Sequence, residues 1–398
     1  MTDPAWPHLN GQTILQVIPD LSAGGAERTT IEVAEAITRA GGRAVVASEG
    51  GRMETTLGRA GGKLIRLPLT SKNPLTVWRN VARLREVIEA ERVKLVHARS
   101  RAPAWSAYLA ARRTGTPFIT TYHGIYSGTM GPKKYYNSVM ARGDFVIANS
   151  NWTASHVAAL HGLAPNRIVT IPRGVDLTIF DPGRIKGEQL SELAQKWNIA
   201  DDDDRLVVVL AGRLTAWKGQ LLAIEAFGRL SSEEKDGIHL ILVGDPQGRQ
   251  SYVDRIEQAI VDNGLGGAVS IVGHCDEMPV AYRLADVVLA PSQRPEAFGR
   301  VAAEASAMAR PVIVSDHGGQ QETVIDGETG VRVTAGSREA LAGALRTLFQ
   351  MPPSARRAMG EAGRAFVREN YSIEKLQHAT LDVYAARLND PELSQQIG

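Results

Sequence analysis

The chain of 398 residues is long enough for two or three domains, and its 43% of apolar residues allow each a substantial core. Its single cysteine, Cys275, excludes an internal disulfide framework and fits a reducing compartment. The net charge of +2 conceals an asymmetry, because residues 1–176 hold 22 Lys and Arg against 12 Asp and Glu while the remainder holds 23 against 31.

The expected location is the cytoplasm. The first dozen residues are polar, with Trp6 and two prolines, and no apolar run is long enough to span a bilayer. The basic N-terminal half is compatible with an anionic ligand or an anionic membrane surface, so the inner face of the cytoplasmic membrane is a second expected location. Solvated helix faces explain the same asymmetry equally well. Nucleic acid is not an expected partner, because the basic residues are scattered and lack interleaved aromatic residues.

The predicted fold class is α/β. From Thr13 onward, short apolar runs rich in β-branched residues alternate with amphipathic stretches, which predicts parallel sheets wound with helices. The predicted strands are residues 14–18, 44–47, 64–67, 95–97, 118–121, 145–148, 168–171, 206–210, 240–243, 269–272, 287–289, 312–314 and 331–333. Two long helices are predicted near the C-terminus, at residues 354–369 and 373–388.

A polar break at residues 180–204 predicts the domain boundary. The predicted domains are residues 1–180 and 181–372, both Rossmann-like, followed by a C-terminal helical segment at 373–398. The two halves share local patterns: DFVIANS at 144–150 matches DVVLAPS at 286–292, and PFITTYHG at 117–124 matches PVIVSDHG at 311–318. We interpret the halves as two sheets of similar construction without a sequence repeat.

Two carboxylates, Glu296 and Glu304, lie eight residues apart in the stretch RPEAFGRVAAEASAMARP at 294–311. On an α-helix this spacing is about 12 Å of rise and about 80° of rotation, so we expect both on one side of a helix that begins near Glu296. Unpaired amides at a helix start favour an acid, which is a structural explanation of Glu296. Glu304 lies among small apolar residues and is expected either to be paired or to hold hydroxyl groups.

Two cations, Arg213 and Lys218, flank a short loop that follows the predicted strand at 206–210. Ligands of open α/β sheets bind at the carboxyl ends of strands. Two cations there can neutralise a diphosphate without a metal ion. Surface cations are common, so a solvated loop is the structural alternative.

Gly24 and Gly25 lie between the first predicted strand and a helix, where paired glycines bring backbone amides close to an anion. A plain tight turn is the alternative, and the local sequence matches neither a dinucleotide fingerprint nor a P-loop. His123, followed by Gly124, ends the predicted strand at 118–121. A lone histidine at a strand end is more often a structural hydrogen bonder than a catalyst.

These features resemble the retaining nucleotide-sugar glycosyltransferases of family four, which are group 1 glycosyl transferases of GT-B fold. The resemblance spans almost the whole chain and rests on the Glu-x7-Glu spacing, on ADVVLAPS at 285–292, on ARPVIVSDHGGQQETV at 309–324 and on GRL-x3-KG at 212–219. It implies two Rossmann-like domains facing a central cleft, with a last helix that returns toward the N-terminal domain. It also implies an enzyme that transfers a hexose from a nucleotide sugar.

The resemblance assigns roles to these residues. His123, Glu296, Arg213 and Lys218 would be the catalytic residues, and the two cations would also bind the donor diphosphate beside Gly24 and Gly25. On the donor side, Glu296 would contact the sugar, the amides of Ala297, Phe298 and Gly299 would contact sugar or phosphate oxygens, Glu304 would hold the ribose and His274 the base. Neither a cofactor nor a metal ion is expected, and Cys275 lacks paired ligands.

The expected acceptor is an anionic glycan or lipid-linked glycan, with lipopolysaccharide core first among bacterial envelope glycans. This expectation rests on RSRAPAWS at 99–106 and on scattered cations, namely Arg99, Arg101, Lys133, Lys134 and Arg142. The chain departs from the family at Arg173, where asparagine is commoner. The alternatives are an epimerase or a phosphorylase of the same fold, and a nucleotide-sugar-binding subunit without turnover.

Overall fold

The computed structural model describes residues 6–22, 24–124, 126, 130–200 and 203–389. The chain forms two units, one containing residues up to Gly174 together with those from Ile373 onward, the other running from Val175 to Ser372. No helix in the described ranges has the length and apolar character that crossing a bilayer requires.

The first unit is built on a parallel sheet of seven strands in the order β3-β2-β1-β4-β5-β6-β7. Its strands are β1 (Thr13–Val17), β2 (Arg43–Ser48), β3 (Lys63–Arg66), β4 (Val93–Ala98), β5 (Phe118–Tyr122), β6 (Phe145–Ala148) and β7 (Ile168–Thr170). Its helices are α1 (Gly25–Arg39), α2 (Glu54–Arg59), α3 (Pro74–Ala90), α4 (Arg101–Thr114), α5 (Gly131–Asn137), α6 (Asn151–His161) and the C-terminal α15 (Ile373–Asn389).

The second unit is built on a parallel sheet of six strands in the order β10-β9-β8-β11-β12-β13. Its strands are β8 (Leu206–Ala211), β9 (Ile238–Val243), β10 (Val269–Gly273), β11 (Val287–Ala290), β12 (Val312–Ser315) and β13 (Gly330–Val333). Its helices are α7 (Gly187–Lys196), α8 (Gln220–Phe227), α9 (Ser232–Asp236), α10 (Gln250–Asp262), α11 (Met278–Leu284), α12 (Arg300–Ala307), α13 (Arg338–Gln350) and α14 (Pro353–Asn370).

Each sheet is covered by helices on both faces, which gives each unit two apolar layers. The central strands are therefore buried on both sides and consist of near-continuous apolar runs, as in β1 and β8. Side-chain caps fix several helix starts, for example Ser150 Oγ accepting from Thr153 N at 3.0 Å before α6. All thirteen predicted strands and both predicted C-terminal helices are confirmed.

The boundary between the units differs from the prediction, which placed it after residue 180. Val175 N donates to Tyr371 O at 2.7 Å, and Phe180 is buried in the core of the second unit, so residues 175–180 belong there. The predicted polar break at 180–204 also contains α7. That helix is anchored by the buried Leu193, with the buried Trp197 directly after it.

The C-terminal helix α15 packs within the first unit. Tyr384 Oη lies 2.6 Å from His97 Nδ1, and Gln377 Nε2 donates to Glu32 O at 2.8 Å. Both contacts are made by buried side chains that reach strand β4 and helix α1. The last helix is therefore part of the core of the first unit, although the second unit separates it in sequence.

Candidate active site

Lys218 and Glu296 form an ion pair at the carboxyl edge of the second sheet. Lys218 ends a 3-10 turn, Ala216–Lys218, that follows β8, and Glu296 lies in the loop after β11. Lys218 Nζ is 2.8 Å from Glu296 Oε1, and the Ser292 hydroxyl donates to the same oxygen. The charged side chains are 14% and 16% exposed, so a ligand can still reach the pair. The structure thus brings together one predicted cation and one predicted acid.

Gly219 explains why these two loops meet. Its φ is +85°, and a Cβ there would overlap the carbonyl oxygen of Pro291. Only glycine therefore lets the turn that carries Lys218 pack on the loop after β11. Gln293 strengthens the contact, because its backbone N–H donates to Trp217 O at 2.7 Å.

Glu296 does not lie at the start of a helix, so that prediction is wrong. Helix α12 begins four residues later, at Arg300, and Glu296 pairs with Gly318 in an isolated parallel bridge. Gly319 N donates to Glu296 O at 2.7 Å. Gly318 has a φ of +68°, and a Cβ on it would lie 2.6 Å from Glu296 N. The glycines after β12 therefore position Glu296, and the helical spacing to Glu304 does not apply to it.

Three residues that the sequence analysis did not assign complete this loop cluster: Trp217, Gln220 and His317. The Trp217 ring centroid is 6.0 Å from Arg213 Cζ and 4.5 Å from Lys218 Nζ, so both cations lie against one indole. The buried Gln220 donates through Nε2 to Arg213 O at 3.0 Å. His317 Nε2 donates to a carbonyl oxygen of the loop after β11 at 2.8 Å. Arg213 itself is exposed.

Glu304 forms a second ion pair on α12. Arg300 Nη2 and Nε lie 2.7 Å and 3.1 Å from Glu304 Oε1. Glu304 is therefore paired with a cation, which was one of the two alternatives expected from the sequence. The Tyr282 hydroxyl lies 3.5 Å from Oε2, and burial, with the charge of Glu304 second, raises the Tyr282 pKa well above its usual value. The role of Glu304 toward a ribose stays a prediction.

The residues between the two acids were predicted to offer amides at a helix start. Gly299, with a φ of +123°, is the N-cap of α12, and Ala297 and Phe298 precede it. Phe298 is buried and packs edge-on against Tyr371, with ring centroids 5.3 Å apart. These backbone groups therefore come before the first turn of the helix. Their contacts with a donor stay a prediction.

His274 follows the edge strand β10. Its ring is exposed, and Nε2 lies 2.9 Å from Asp276 Oδ1. Its contact with a base stays a prediction. The neighbouring Cys275 is buried, and burial raises the pKa of its thiol. Across the described ranges, no group of three His, Cys, Asp or Glu side chains is placed to hold a metal ion.

In the first unit, Gly24 and Gly25 lie at the start of α1, at the end of the loop that follows β1. Gly24 is the N-cap residue, with a φ of +140°, and a Cβ on it would overlap the Glu27 carboxylate. Burial raises the pKa of Glu27, and the nearby charge of Asp20 raises it further, whereas its own backbone hydrogen bond and the charge of Arg173 lower it. The carboxylate of Glu27 therefore lies against Gly24 at the start of α1.

His123 contacts Arg173, the residue at which the chain departs from the family pattern. Arg173 Nη2 lies 3.2 Å from His123 Nδ1 and also donates to His123 O at 3.4 Å. Burial holds the pKa of His123 well below its usual value, and the charges of Arg173 and Arg99 lower it further. His123 is therefore neutral. Its Nε2 is buried, without a hydrogen-bond partner among the described residues.

The five cations predicted to meet an acceptor do not form one surface. Arg99 is fully buried, donating to Thr29 O at 2.8 Å, so it supports the core and cannot contact an acceptor. Arg142 lies between α5 and β6, at the amino edge of the sheet, with its guanidinium over Trp105 at 5.2 Å. The remaining three are near or on the short helix α5. Lys133 and Lys134 are exposed there, and Arg101 Nη1 donates to Asn137 Oδ1 at 2.6 Å.

The loop cluster of the second unit suits an anionic ligand that also bears hydroxyl groups. Arg213 and Lys218 can pair with phosphate oxygens, and the Glu296 carboxylate can accept hydrogen bonds from a sugar. A carboxyl-edge site on a Rossmann-like sheet is where such ligands bind. The fold and this cluster define the class of GT-B glycosyltransferases.

Comparison with known proteins agrees with this class. A glycosyltransferase from Rickettsia africae has a crystal structure that matches with a TM-score of 0.87 and 32% identity over 96% of this chain and 100% of that one. HepE from Anabaena, solved with UDP, matches with a TM-score of 0.80 and 23% identity over 94% of this chain and 100% of that one.

Curated relatives and family models extend the comparison. D-inositol 3-phosphate glycosyltransferases from Xylanimonas cellulosilytica and Catenulispora acidiphila are 28% and 30% identical, over 73% and 65% of this chain and 71% and 64% of theirs. The model of the glycosyl transferases group 1 matches residues 191–366, and that of Glycosyltransferase Family 4 matches residues 23–179. The chain therefore belongs to the group 1 glycosyl transferases and is a glycosyltransferase with two Rossmann-like units.

Proposed function

We propose that the protein transfers a hexose from a nucleoside diphosphate sugar to an acceptor hydroxyl, with retention of the anomeric configuration. The Lys218–Glu296 pair carries the proposal, because it places a cation for a leaving diphosphate beside an acid for sugar hydroxyls. Arg213 supplies a second cation against the same indole. HepE from Anabaena, solved with UDP and with UDP-glucose, supports a donor of this kind.

In the proposed reaction the bond between the anomeric carbon and the diphosphate oxygen breaks as the acceptor oxygen approaches the same face of the sugar. Lys218 and Arg213 stabilise the charge that develops on the departing diphosphate. The acceptor proton passes to a phosphate oxygen of the donor. Glu296 orients the sugar hydroxyls and does not form a covalent bond. Because two cations serve the leaving group, we expect chelators of divalent metals to leave the rate unchanged.

The acceptor proposed is anionic, and two classes have support. Relatives named for D-inositol 3-phosphate favour a phosphorylated cyclitol. The exposed face of α5 favours a lipid-linked envelope glycan such as lipopolysaccharide core, since Lys133, Lys134 and Tyr135 are exposed there with Met130 just before them. The second class would bring the protein to the inner face of the cytoplasmic membrane.

The test is a transfer assay with labelled UDP-glucose and each acceptor class. Release of UDP that depends on the acceptor, with an α-linked product in the NMR spectrum, is the expected result. A covalent glycosyl adduct on Glu296 in the intact mass would refute the same-face mechanism. Sugar epimerisation without acceptor, phosphate-dependent cleavage of a glycan, or donor binding without turnover would each replace the transfer proposal with one of its rivals.

A K133Q/K134Q variant separates the acceptor classes. We expect it to reduce transfer to vesicle-bound glycan while transfer to inositol 3-phosphate stays unchanged, because both lysines are on the exposed face of α5. The loss should disappear at high salt, where the attraction between exposed charges is screened. Equal transfer to vesicle-bound glycan by the variant and the wild type would exclude this face from acceptor binding.

A further inference from the structure

Four arginines line one cavity at the amino edge of the second sheet. The cavity has a volume of about 250 Å³, and its charged residues are Arg283, Arg310, Arg356, Arg357 and Asp286. The first arginine lies in α11, the second precedes β12, and the last two lie in the first two turns of α14. The proposed transfer site is at the carboxyl edge of the same sheet. The cavity is therefore a different place on the unit.

These arginines carry charge that the protein does not neutralise at close range. Within the described ranges, none of the four guanidinium groups has a carboxylate within 4.0 Å. Arg310 Nη2 donates to Arg283 O at 2.6 Å, whereas Arg310 Nε is buried without a hydrogen-bond partner among those residues. Arg356 Nη1 donates to Leu348 O at 3.0 Å. Backbone carbonyls therefore hold two of the cations in place and leave their charge available.

Asp286 supplies the one carboxylate that lines the cavity, so a single acid faces four guanidinium groups. Asp286 accepts from Val207 N at 2.9 Å; burial raises its pKa, whereas that hydrogen bond and the charge of Arg356 lower it. Asp144 occupies the equivalent turn before β6, but there Arg387 Nε bonds the carboxylate at 2.6 Å beside a cavity of about 100 Å³. An ion pair thus neutralises the aspartate of the turn in the first unit. In the described part of the second unit, no guanidinium group lies within 4.0 Å of the Asp286 carboxylate.

We propose that this cavity binds the dianionic phosphate group of a small solute. Guanidinium forks match the geometry of phosphate oxygens and stay charged at every physiological pH. Four of them face one carboxylate, so the cavity attracts an anion. Its volume lies below the range typical of sites for drug-sized ligands and suits a compact phosphate. The site is independent of the transfer reaction proposed above.

The experiment measures binding of inorganic phosphate to the full chain by calorimetry, and the accompanying rise in melting temperature, with chloride at matched ionic strength as reference. The test variant is R283Q/R357Q, because neither side chain makes a hydrogen bond that supports the fold among the described residues. R255Q/R368Q removes the same charge from exposed positions of the same unit. R213Q/K218Q removes the two cations of the transfer site. A second arm with glycerol 3-phosphate distinguishes free phosphate from the phosphate of an ester.

We expect phosphate to bind R283Q/R357Q at least about tenfold more weakly than the wild type, since each charged hydrogen bond lost weakens binding by that order. R255Q/R368Q should bind as the wild type does, and R213Q/K218Q, which removes any phosphate bound at the transfer site, should retain the binding event that R283Q/R357Q loses. The proposal is overturned if the wild type binds no phosphate, if R283Q/R357Q binds it with unchanged affinity, or if R213Q/K218Q abolishes binding. Because the readout is binding, failure of the transfer assay would not affect it.

Discussion

Arg173 Nη2 and His123 Nδ1 lie 3.2 Å apart, and this contact fixes the tautomer of the histidine. A guanidinium can only donate, so Nδ1 must accept and the ring proton must be on Nε2. That Nε2 is buried and makes no hydrogen bond within the described chain. His123 is thus a neutral ring with one N–H donor that no group of the described chain satisfies.

Replacing Arg173 by asparagine, the commoner residue of the family, should release this constraint. We expect R173N to reduce kcat/KM for transfer about tenfold, because the Nε2–H donor would no longer be the only tautomer. Nitrogen NMR of labelled histidine should show His123 protonated at Nε2 in the wild type and a mixture of tautomers in R173N.

Arg173→Lys is the matched control, because it keeps a cation that can donate to Nδ1. It should retain the tautomer and most of the activity. A wild-type spectrum with His123 protonated at Nδ1 would contradict the assignment. Equal activity and equal spectra in R173N and the wild type would make Arg173 a structural residue only.

Two histidines of the first unit, the buried His97 and the half-buried His123, should make the protein less stable in acid. Burial holds the pKa of each well below its usual value, and the charge of Arg99 lowers both further. The unfolded chain regains a histidine pKa of about 6.5 and therefore binds more protons than the folded chain below that pH. The stability that the two neutral histidines contribute is complete above about pH 6.5. It is lost as the pH falls from there toward the pKa of each histidine in the folded protein.

The expected loss is up to about 1.4 kcal/mol per pH unit for each histidine. Urea unfolding between pH 7.5 and pH 5.5 measures it. In H123Q the fall in unfolding free energy should be smaller by the contribution of one histidine, up to about 1.4 kcal/mol per pH unit. If H123Q and the wild type lose stability in parallel over this range, then His123 titrates normally in the folded protein.

Lys218→Gln tests the leaving-group role of the pair with Glu296. We expect the rate of transfer to fall about 100- to 1000-fold, as when one preorganised donor to a developing charge is removed. The donor should also bind more weakly. Lys196→Gln, an exposed lysine at the end of α7, is the control and should leave the rate unchanged. A normal rate with K218Q at saturating donor would exclude Lys218 from the chemistry.

The strands were predictable because parallel strands buried on both faces are near-continuous apolar runs. Glu296 was misplaced because its position depends on a bridge to Gly318, a contact between loops that no local spacing encodes. Arg99 was misassigned for a related reason: a cation after a strand usually faces solvent, but here Thr29 O accepts from it inside the core. Local patterns thus indicated the elements, while contacts between loops determined the site.

Gly219→Ala should misplace Lys218 without removing it. Residue 219 has a φ of +85°, and an alanine Cβ would overlap Pro291 O, so the turn and the loop after β11 must separate. A shift of about 1 Å in a catalytic group can cost on the order of a hundredfold in rate, and we expect transfer to fall at least tenfold. The Lys218–Glu296 pair should lengthen accordingly.

Gly248→Ala is the matched control, because residue 248 has a similar φ of +78° but no atom within 4 Å of an added Cβ. Both variants should lose about 1 kcal/mol of stability from backbone strain, since alanine disfavours this region, and G219A should lose more because of the overlap with Pro291 O. Only G219A should lose transfer activity, as measured by UDP release at equal folded concentration. Equal rates in G219A and G248A would mean that the close packing at Pro291 does not position Lys218, and the pair with Glu296 would then have to form by another route.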